Sequence, residues 1–353
     1  MNIRKQTACS ILFLLMSLPV QPAFAPRALD EVIGKYEREN SPCAALVMDS
    51  ETGMIAYMYN RAMVMEKRFP PGSLLKPLSA LVLLENANKL FFNTDERFRC
   101  TGKFFPSGKI DLTKSDLKNF NLPKDKELGL HYFKCSLADG HGDVDLQHAI
   151  SRSCNSYFLT AVSRKPHEFF GLLCASFNLG QKNGALLAES SEVLPDLTEQ
   201  NPTRFQLAAS AIGEGGLIML SPLKIAQIYA GIFSGNPPIP FEPSLAPAKK
   251  EAPLRFSAKN LELVKDALTD TVETGTLKRV TSTQSVQIIA GKTGTATIYG
   301  KLYKTHGWNV IYFAFRNRKY ILVSFVEKGS GAKESLSLSE IIIANLDVLP
   351  IGR

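Results

Sequence analysis

Three short stretches carry residue types able to do nucleophilic chemistry. Ser73 and Lys76 stand three apart in FPPGSLLKP, Ser153 and Asn155 flank Cys154 in RSCNSYF, and Lys292, Thr293, Gly294 and Thr295 follow one another in AGKTGTAT. A serine hydroxyl is a weak nucleophile and needs a base beside it to take its proton. A lysine three residues along a helix shares the serine's face. It can serve as that base only after losing its own charge, through burial or a neighbouring cation. Lys292 is the neighbouring cation expected for Lys76. Each stretch alone has a plainer reading: serine before an apolar run caps a helix, and Lys-Thr-Gly ends a strand or makes a turn. The three together, in this order, are far more specific.

The surrounding pattern supplies elements to hold them. Residues 27–38 suggest a short helix, and CAALVMDSETGMIAYMYN reads as two strands joined at Glu-Thr-Gly. A buried helix is expected to run from Ser73 through LLKPLSALVLLENANKL, capped at Ser73, with Pro77 in its first turn where a missing N–H costs least. Residues 99–142 look irregular, and helical patterns dominate from Asp145 to about Phe233. The proline-rich NPPIPFEPSLAPAKKEAP follows, then the helical LELVKDALTDTVE. GKTGTATIY, GWNVIYFAFR and KYILVSFVEK read as strands, the last two antiparallel about a tight turn at Asn317. SLSLSEIIIANLDVL closes the chain as a helix. Strands from both ends with helices between them imply an α+β fold: one antiparallel sheet covered by helices, with a mainly helical lobe inserted and a cleft between the two.

At 353 residues and 45% hydrophobic, with 21% charged residues, the chain has enough apolar surface to build a core and is not a disordered sequence. MNIRKQTACSILFLLMSLPVQPAFA has the basic start, apolar middle and small-residue exit of an export signal. Residues 1–25 are thus read as a cleaved signal, with a retained anchor as the alternative, followed by a short helix or linker at 26–40. Removing the signal takes two positive charges and lowers the net charge from +8 to +6. No dense basic run suggests nucleic-acid binding. Five cysteines remain, an odd number, so at least one is expected to be free or to pair between chains. Cys100 and Cys135 bracket a polar segment that an oxidising compartment would permit to be bridged. No CxxC or CxxH spacing points to zinc. GHGDVDLQH, with His141, Asp143, Asp145 and His148, reads as a turn and a capped helix, so neither a metal nor a cofactor is expected.

The ordered set Ser-x-x-Lys, Ser-x-Asn, Lys-Thr-Gly resembles the penicillin-binding proteins and serine β-lactamases, acyl-serine enzymes of D-Ala-D-Ala peptides and β-lactams. AALVMDSETGMIAYMYN resembles that superfamily's opening hairpin. IGEGGLIMLSPLKIAQIYAGIFSGN looks like the transpeptidase segment in which a glycine-rich loop precedes a Pro-led helix, and VETGTLKRV and HGWNVIYFAF match the surroundings of the third motif. The resemblance covers most of residues 41–330, and a transpeptidase domain at 41–350 with a loop-rich insertion at about 99–142 is expected.

The resemblance implies Ser73 as nucleophile, Lys76 as its base, Ser153 as proton relay toward the leaving amine, and Asn155 as holder of Lys76 and the substrate amide. Lys292, Thr293 and Thr295 would bind the substrate carboxylate along the Lys-Thr-Gly strand that includes Gly294. The N–H groups of Ser73 and Thr295 would form the oxyanion hole. It further implies peptidoglycan stem peptides as substrates, β-lactams as covalent inhibitors, and cell-wall synthesis proteins as partners. Ser-x-Asn favours the transpeptidase branch over β-lactamases that carry Ser-x-Val, and no Glu-x-x-Leu-Asn motif is present. A D,D-transpeptidase with carboxypeptidase action, a class D-like β-lactam hydrolase and a non-catalytic penicillin-binding sensor or scaffold all remain open. The departures are a catalytic segment soon after the signal, where monofunctional transpeptidases have an anchor and pedestal, and an 80-residue gap from Ser73 to Ser153. Among neighbouring residues, Cys154 reads as buried filler, His306 as structural, and Glu214, where many relatives have glutamine, as a loop-surface residue.

Overall fold

The computed structural model describes residues 27–106, 110–180, 201–242, 254–297 and 304–349. The expected export signal at 1–25 and the second half of the proline-rich segment lie outside the described residues. Among the described residues, no helix is long and apolar enough to cross a membrane.

The first described element is a helix, Arg27–Glu39, whose Leu29, Ile33 and Tyr36 fall on one buried face. Strands β1 (Cys43–Asp49) and β2 (Ile55–Tyr59) form the expected antiparallel hairpin. Short strands follow: β3 (Phe98–Cys100), β4 (Lys103–Phe104), β5 (Phe133–Lys134) and β6 (Gly142–Val144). Three long strands close the core, β7 (Val286–Thr297), β8 (Thr305–Phe315) and β9 (Arg318–Val326). β8 and β9 turn at Arg316 and Asn317, with φ of 48° and 62°, the left-handed pair of a two-residue hairpin matching strand twist.

The main sheet has the order β2-β1-β9-β8-β7, so the first hairpin joins the last three strands, in antiparallel register from Cys43↔Val326 to Asp49↔Tyr320. Alternation along each strand sorts its side chains between two cores. Ala44, Leu46 and Met48 of β1 join Val310, Ile321, Val323 and Phe325 in the larger core beneath the inserted helices. Cys43, Ala45 and Val47 join Ile311, Phe313 and Leu322 against the first helix and the closing helix Glu334–Ala344. A sheet covered on both faces explains why these strands read as near-continuous apolar runs. The α+β architecture expected from the sequence is the one observed.

One expectation is refined and one corrected. The described part of 99–142 is largely irregular, as expected, but it is pinned by short pairings, β3 with β6 and β4 with β5, and by a helix at Lys114–Asn119 closed by a Thr113–Asp116 capping box. The long helix also does not start at Ser73. Gly72–Leu75 is a 3-10 turn, and the α-helix runs Lys76–Glu85 with Leu75 at its N-cap and Pro77 in its first turn. Residues three apart eclipse one another in a 3-10 turn, so Ser73 and Lys76 still share a face.

Candidate active site

The nucleophile candidate lies where three segments meet. Gly72 has φ of +55°, and a Cβ there would stand 2.6 Å from the Thr295 carbonyl oxygen, so only glycine lets the turn approach β7 this closely. Gly294 faces the same turn: a Cβ would meet Leu74 Cγ and Pro71 O at 3.0 Å. The turn is held by Trp308 Nε1 donating to Pro70 O at 2.9 Å and Tyr229 Oη donating to Leu74 O at 2.8 Å. Beneath it, Ser79 Oγ donates to Ala211 O at 2.8 Å.

Ser153 and Asn155 arrive on a second junction. The helix Leu146–Ser151 stops, Ser153 adopts φ of +60°, and the helix Asn155–Val162 begins with Cys154 as its N-cap. A left-handed serine is a strained conformation held by its surroundings. Here Cys154 N–H donates to Ala149 O at 2.9 Å and Ser136 Oγ donates to Ser153 O at 2.9 Å.

Lys76 ties the junctions together. Its Nζ stands 2.7 Å from Ser73 Oγ, 2.6 Å from Asn155 Oδ1, 2.9 Å from Ser153 O and 3.0 Å from Ser153 Oγ. Asn155 Oδ1 and Ser153 O can only accept, which takes two N–H groups. A neutral amine has two N–H donors and one lone pair, so a hydroxyl can then give its proton to nitrogen. Lys292 Nζ lies on the far side of Ser153 Oγ, 3.0 Å away, and also donates to Thr293 O at 2.9 Å. Ser153 Oγ thus bridges two lysines, both fully buried.

Burial lowers Lys76 to about 8, against a smaller opposing pull from the Cys135 and Cys154 thiols and the Glu214 carboxyl. Burial also holds Lys292 well below the usual lysine range, with the Lys76 charge adding to the effect. The expectation that Lys292 is what depresses Lys76 is therefore amended: desolvation leads, and the like-charge effect is felt by Lys292.

The cleft of about 900 Å³ above these groups is lined by Ser73, Asn155, Glu214, Thr293, Thr295 and Thr297, among others. Thr293 Oγ1 donates to Thr276 Oγ1 at 2.7 Å, Thr295 Oγ1 accepts from Gly331 N–H at 3.0 Å, and Asn155 Nδ2 donates to Lys134 O at 3.0 Å. β7 is an edge strand of the sheet, so its outer N–H and C=O groups face the cleft side. Of the eight residues singled out in the sequence, Ser73, Ser153, Asn155, Thr293 and Thr295 line this cleft, Lys76 and Lys292 lie buried against Ser153, and Gly294 packs on the nucleophile's turn.

Of two neighbouring residues, Glu214 departs from its expected place and His306 keeps the structural one. Glu214 is not a loop-surface residue: it lines the cleft, and both carboxylate oxygens take the Thr297 N–H, at 3.1 and 3.2 Å. Burial raises its carboxyl to about 8, against the opposing Thr297 hydrogen bond and Lys76 charge. His306 is a packing residue, its ring 5.3 Å from those of Phe69 and Phe325 and its Nδ1 2.5 Å from Glu327 O.

The cysteines also differ from expectation. Cys100 and Cys135 are free thiols, not a bridge, and each Sγ lies 3.5 Å from His141 Nδ1. Cys154 Sγ completes the group, 3.8 Å from Cys135 Sγ, and the four ligand atoms all lie within 4.8 Å of one another. Tetrahedral zinc with Zn–S of about 2.3 Å separates its sulfur ligands by roughly 3.8 Å, so the donor set and spacing fit a thiophilic ion. Sharing with Cys154 and His141 pulls the Cys135 thiol down, while that same contact pushes Cys154 up. Cys154 is buried, as expected, and is in addition a member of this group. Asp145 and His148 stand apart from this group, as Asp145 caps the following helix and bonds His148 Nδ1 at 2.6 Å. Ligands drawn from positions 100, 135, 141 and 154 have no short-range spacing to betray them. The β3–β6 pairing, with Cys100 opposite Gly142, is what brings His141 beside Cys100.

The chain matches the penicillin binding protein transpeptidase domain over residues 43–346. It is 26% identical over 261 residues to the peptidoglycan D,D-transpeptidase MrdA of Acinetobacter baumannii, an alignment covering 68% of this chain and 34% of that protein. The chain therefore spans about a third of the length of that curated relative. Among solved structures, the Helicobacter pylori penicillin-binding protein PBP2 in complex with MreC superposes with a TM-score of 0.70 at 20% identity, covering 91% of this chain and 62% of that one. Pseudomonas aeruginosa PBP2 in complex with WCK 5153 gives 0.68 at 19% identity, covering 92% and 78%. These likenesses establish the fold.

Proposed function

The chain belongs to the penicillin-binding protein transpeptidase family, and from that premise we propose that it is a serine D,D-transpeptidase of peptidoglycan, acting on stem peptides that end in D-Ala-D-Ala. The observation that carries this reading is the unbroken line of contacts Ser73 Oγ–Lys76 Nζ–Ser153 Oγ–Lys292 Nζ, at 2.7, 3.0 and 3.0 Å, under one wall of the cleft.

Neutral Lys76 takes the Ser73 proton as Oγ attacks the penultimate D-Ala carbonyl. The oxyanion that forms faces the N–H groups of Ser73 and of Thr295 on the β7 edge, and one such donor is worth about 2.7–4 kcal/mol of barrier. The proton moves from Lys76 through Ser153 Oγ to the leaving D-alanine nitrogen, the C–N bond breaks, and Ser73 is left as an ester. Lys292, Thr293 and Thr295 hold the substrate's terminal carboxylate, and Asn155 Nδ2 orients its amide. An amine of a second stem peptide then takes the acyl group, releasing Ser73. β-Lactams acylate the same serine. A complete proton route supports this reading over a scaffold that only binds.

Residues 41–350 act in this reading as one transpeptidase domain, delivered outside the cytoplasm by the N-terminal segment. The relatives suggest the working context: one is a peptidoglycan D,D-transpeptidase, and one was solved in complex with MreC. A wall-synthesis partner is accordingly proposed for this chain. The test is labelling of the purified protein with a fluorescent penicillin, followed by mass spectrometry of the modified peptide. Label on Ser73 that is lost in Ser73→Ala supports the assignment; label on another residue, or none, overturns it.

A further inference from the structure

Glu214 is a cleft carboxylate that the acylation chemistry leaves unused. Its segment is clamped to the nucleophile's own turn, since Gly72 N–H donates to Gly213 O at 3.2 Å. Its two oxygens share the Thr297 N–H, its one protein donor among the described residues. Its carboxyl is ionised only above about 8, and in that form it has about four acceptor sites on the cleft that it lines.

Its position relative to the acyl group follows from the strand. Thr295 and Thr297 are two apart on β7, so their N–H groups point the same way, about 6.6 Å from one another. If the acyl oxygen sits at Thr295 N–H, the Glu214 carboxylate, at Thr297 N–H, lies one strand repeat further along the same cleft wall, with cleft space for water between them. Lys76 and Glu214 also feel each other's charge, which places the carboxylate in the electrostatic field of the reacting centre.

We propose that Glu214 is the general base for hydrolytic deacylation, giving this protein a carboxypeptidase and slow β-lactam-hydrolysing activity beside amine transfer. This rests on the acyl-serine reading above. In the step, the oxygen of one water attacks the acyl carbonyl carbon while its proton passes to the Glu214 carboxylate. Lys76, left neutral when it gave its proton to the leaving nitrogen during acylation, takes a proton from solvent; the C–Oγ bond then breaks, and its electron pair returns to Ser73 Oγ, which takes that proton from the Lys76 ammonium 2.7 Å away. The product is a free carboxylic acid, and Glu214 and Lys76 re-equilibrate their protons with solvent.

The test uses the whole chain and benzylpenicillin. At about pH 8.5, where the Glu214 carboxyl is ionised, wild type and Glu214→Gln are acylated, excess drug is removed, and the adduct on Ser73 is followed by intact-mass spectrometry while released penicilloic acid is measured. Glutamine keeps an oxygen for Thr297 N–H, and adduct formation by the variant reports that its site is assembled. The expected result is an adduct in Glu214→Gln that survives about a hundredfold longer than in wild type, in line with loss of a general base. Equal adduct lifetimes overturn this inference and leave the acyl-serine reading standing. A Glu214→Gln protein that cannot be acylated, while wild type can, also overturns it, because Glu214 would then act in acylation. A wild type with no Ser73 adduct overturns the acyl-serine reading and this inference with it.

Discussion

Lys76 Nζ stands 2.7 Å from Ser73 Oγ at the meeting point of a 3-10 turn and an α-helix. The change of helix type matters: a 3-10 turn stacks residues i and i+3, and it is this stacking that points the amine at the hydroxyl. Lys76→Ala is expected to lower penicillin acylation of Ser73 by about a thousandfold, within the range for losing a general base. Labelling rates, with circular dichroism as the check on folding, measure this.

Acylation should rise with pH. The reactive form of Lys76 is the neutral amine, and burial lowers this lysine to about 8. Below that value the amine is protonated and cannot take the Ser73 proton, so the rate climbs tenfold per unit from about pH 6 to 7 and levels off above 8. Stopped-time labelling between pH 6 and 9.5 checks it, and a profile that is flat or falls with pH contradicts the assignment of Lys76 as base.

Stability should depend on Glu214 in the opposite sense. Its carboxyl is raised from an ordinary 4.5 to about 8 in the fold, so between those values the native state holds a proton that the unfolded chain releases. The folded state is therefore favoured most below pH 4.5 and loses that advantage as pH rises to 8. Glu214→Gln lacks the loss, so its stability relative to wild type should grow from pH 5 to 8, by a few kcal/mol at most. Denaturant melts of both proteins at each pH give the difference.

The φ of +60° at Ser153 separates backbone strain from chemistry. Ser153→Ala and Ser153→Gly both remove the hydroxyl between the two lysines and should both lose acylation by about a hundredfold, the lower range for a proton-transfer group. Glycine suits the left-handed backbone, so Ser153→Gly should be the more stable of the two by about 1 kcal/mol. Equal activity loss with unequal melting points is the expected signature.

The Cys100, Cys135, His141 and Cys154 group should respond to zinc. Binding to the folded state alone raises its stability, so added zinc should raise the melting temperature and a chelator lower it. Cys154→Ser should abolish most of that response. Because Cys154 lies between Ser153 and Asn155, and Asn155 N–H donates to Cys135 Sγ at 3.2 Å, chelation should also slow penicillin labelling. Differential scanning fluorimetry and metal analysis of the purified protein measure the first effects.

The sequence by itself determined the reactive residue types, their order along the chain and the long strands and helices that carry them. Those are local properties: period-2 and helical patterning, the Arg316-Asn317 turn and the three short motifs are each written within about a dozen residues. The resemblance of those motifs to a known family supplied the roles. Tertiary structure decided what depends on contacts far apart in sequence. Whether Lys76 is neutral depends on burial supplied by segments 77 residues and more away, such as Ser153. The 3-10 turn at Ser73 exists because Gly72 and Gly294 let it press on β7, a choice that helix propensity does not encode. Glu214 turned inward because Gly213 binds Gly72 and Thr297 offers its N–H, while its glycine-rich surroundings read as a surface loop. The thiol-imidazole group was hidden for the same reason: its four members lie on ribbons and a helix cap that only the folded chain brings within a few ångströms of one another.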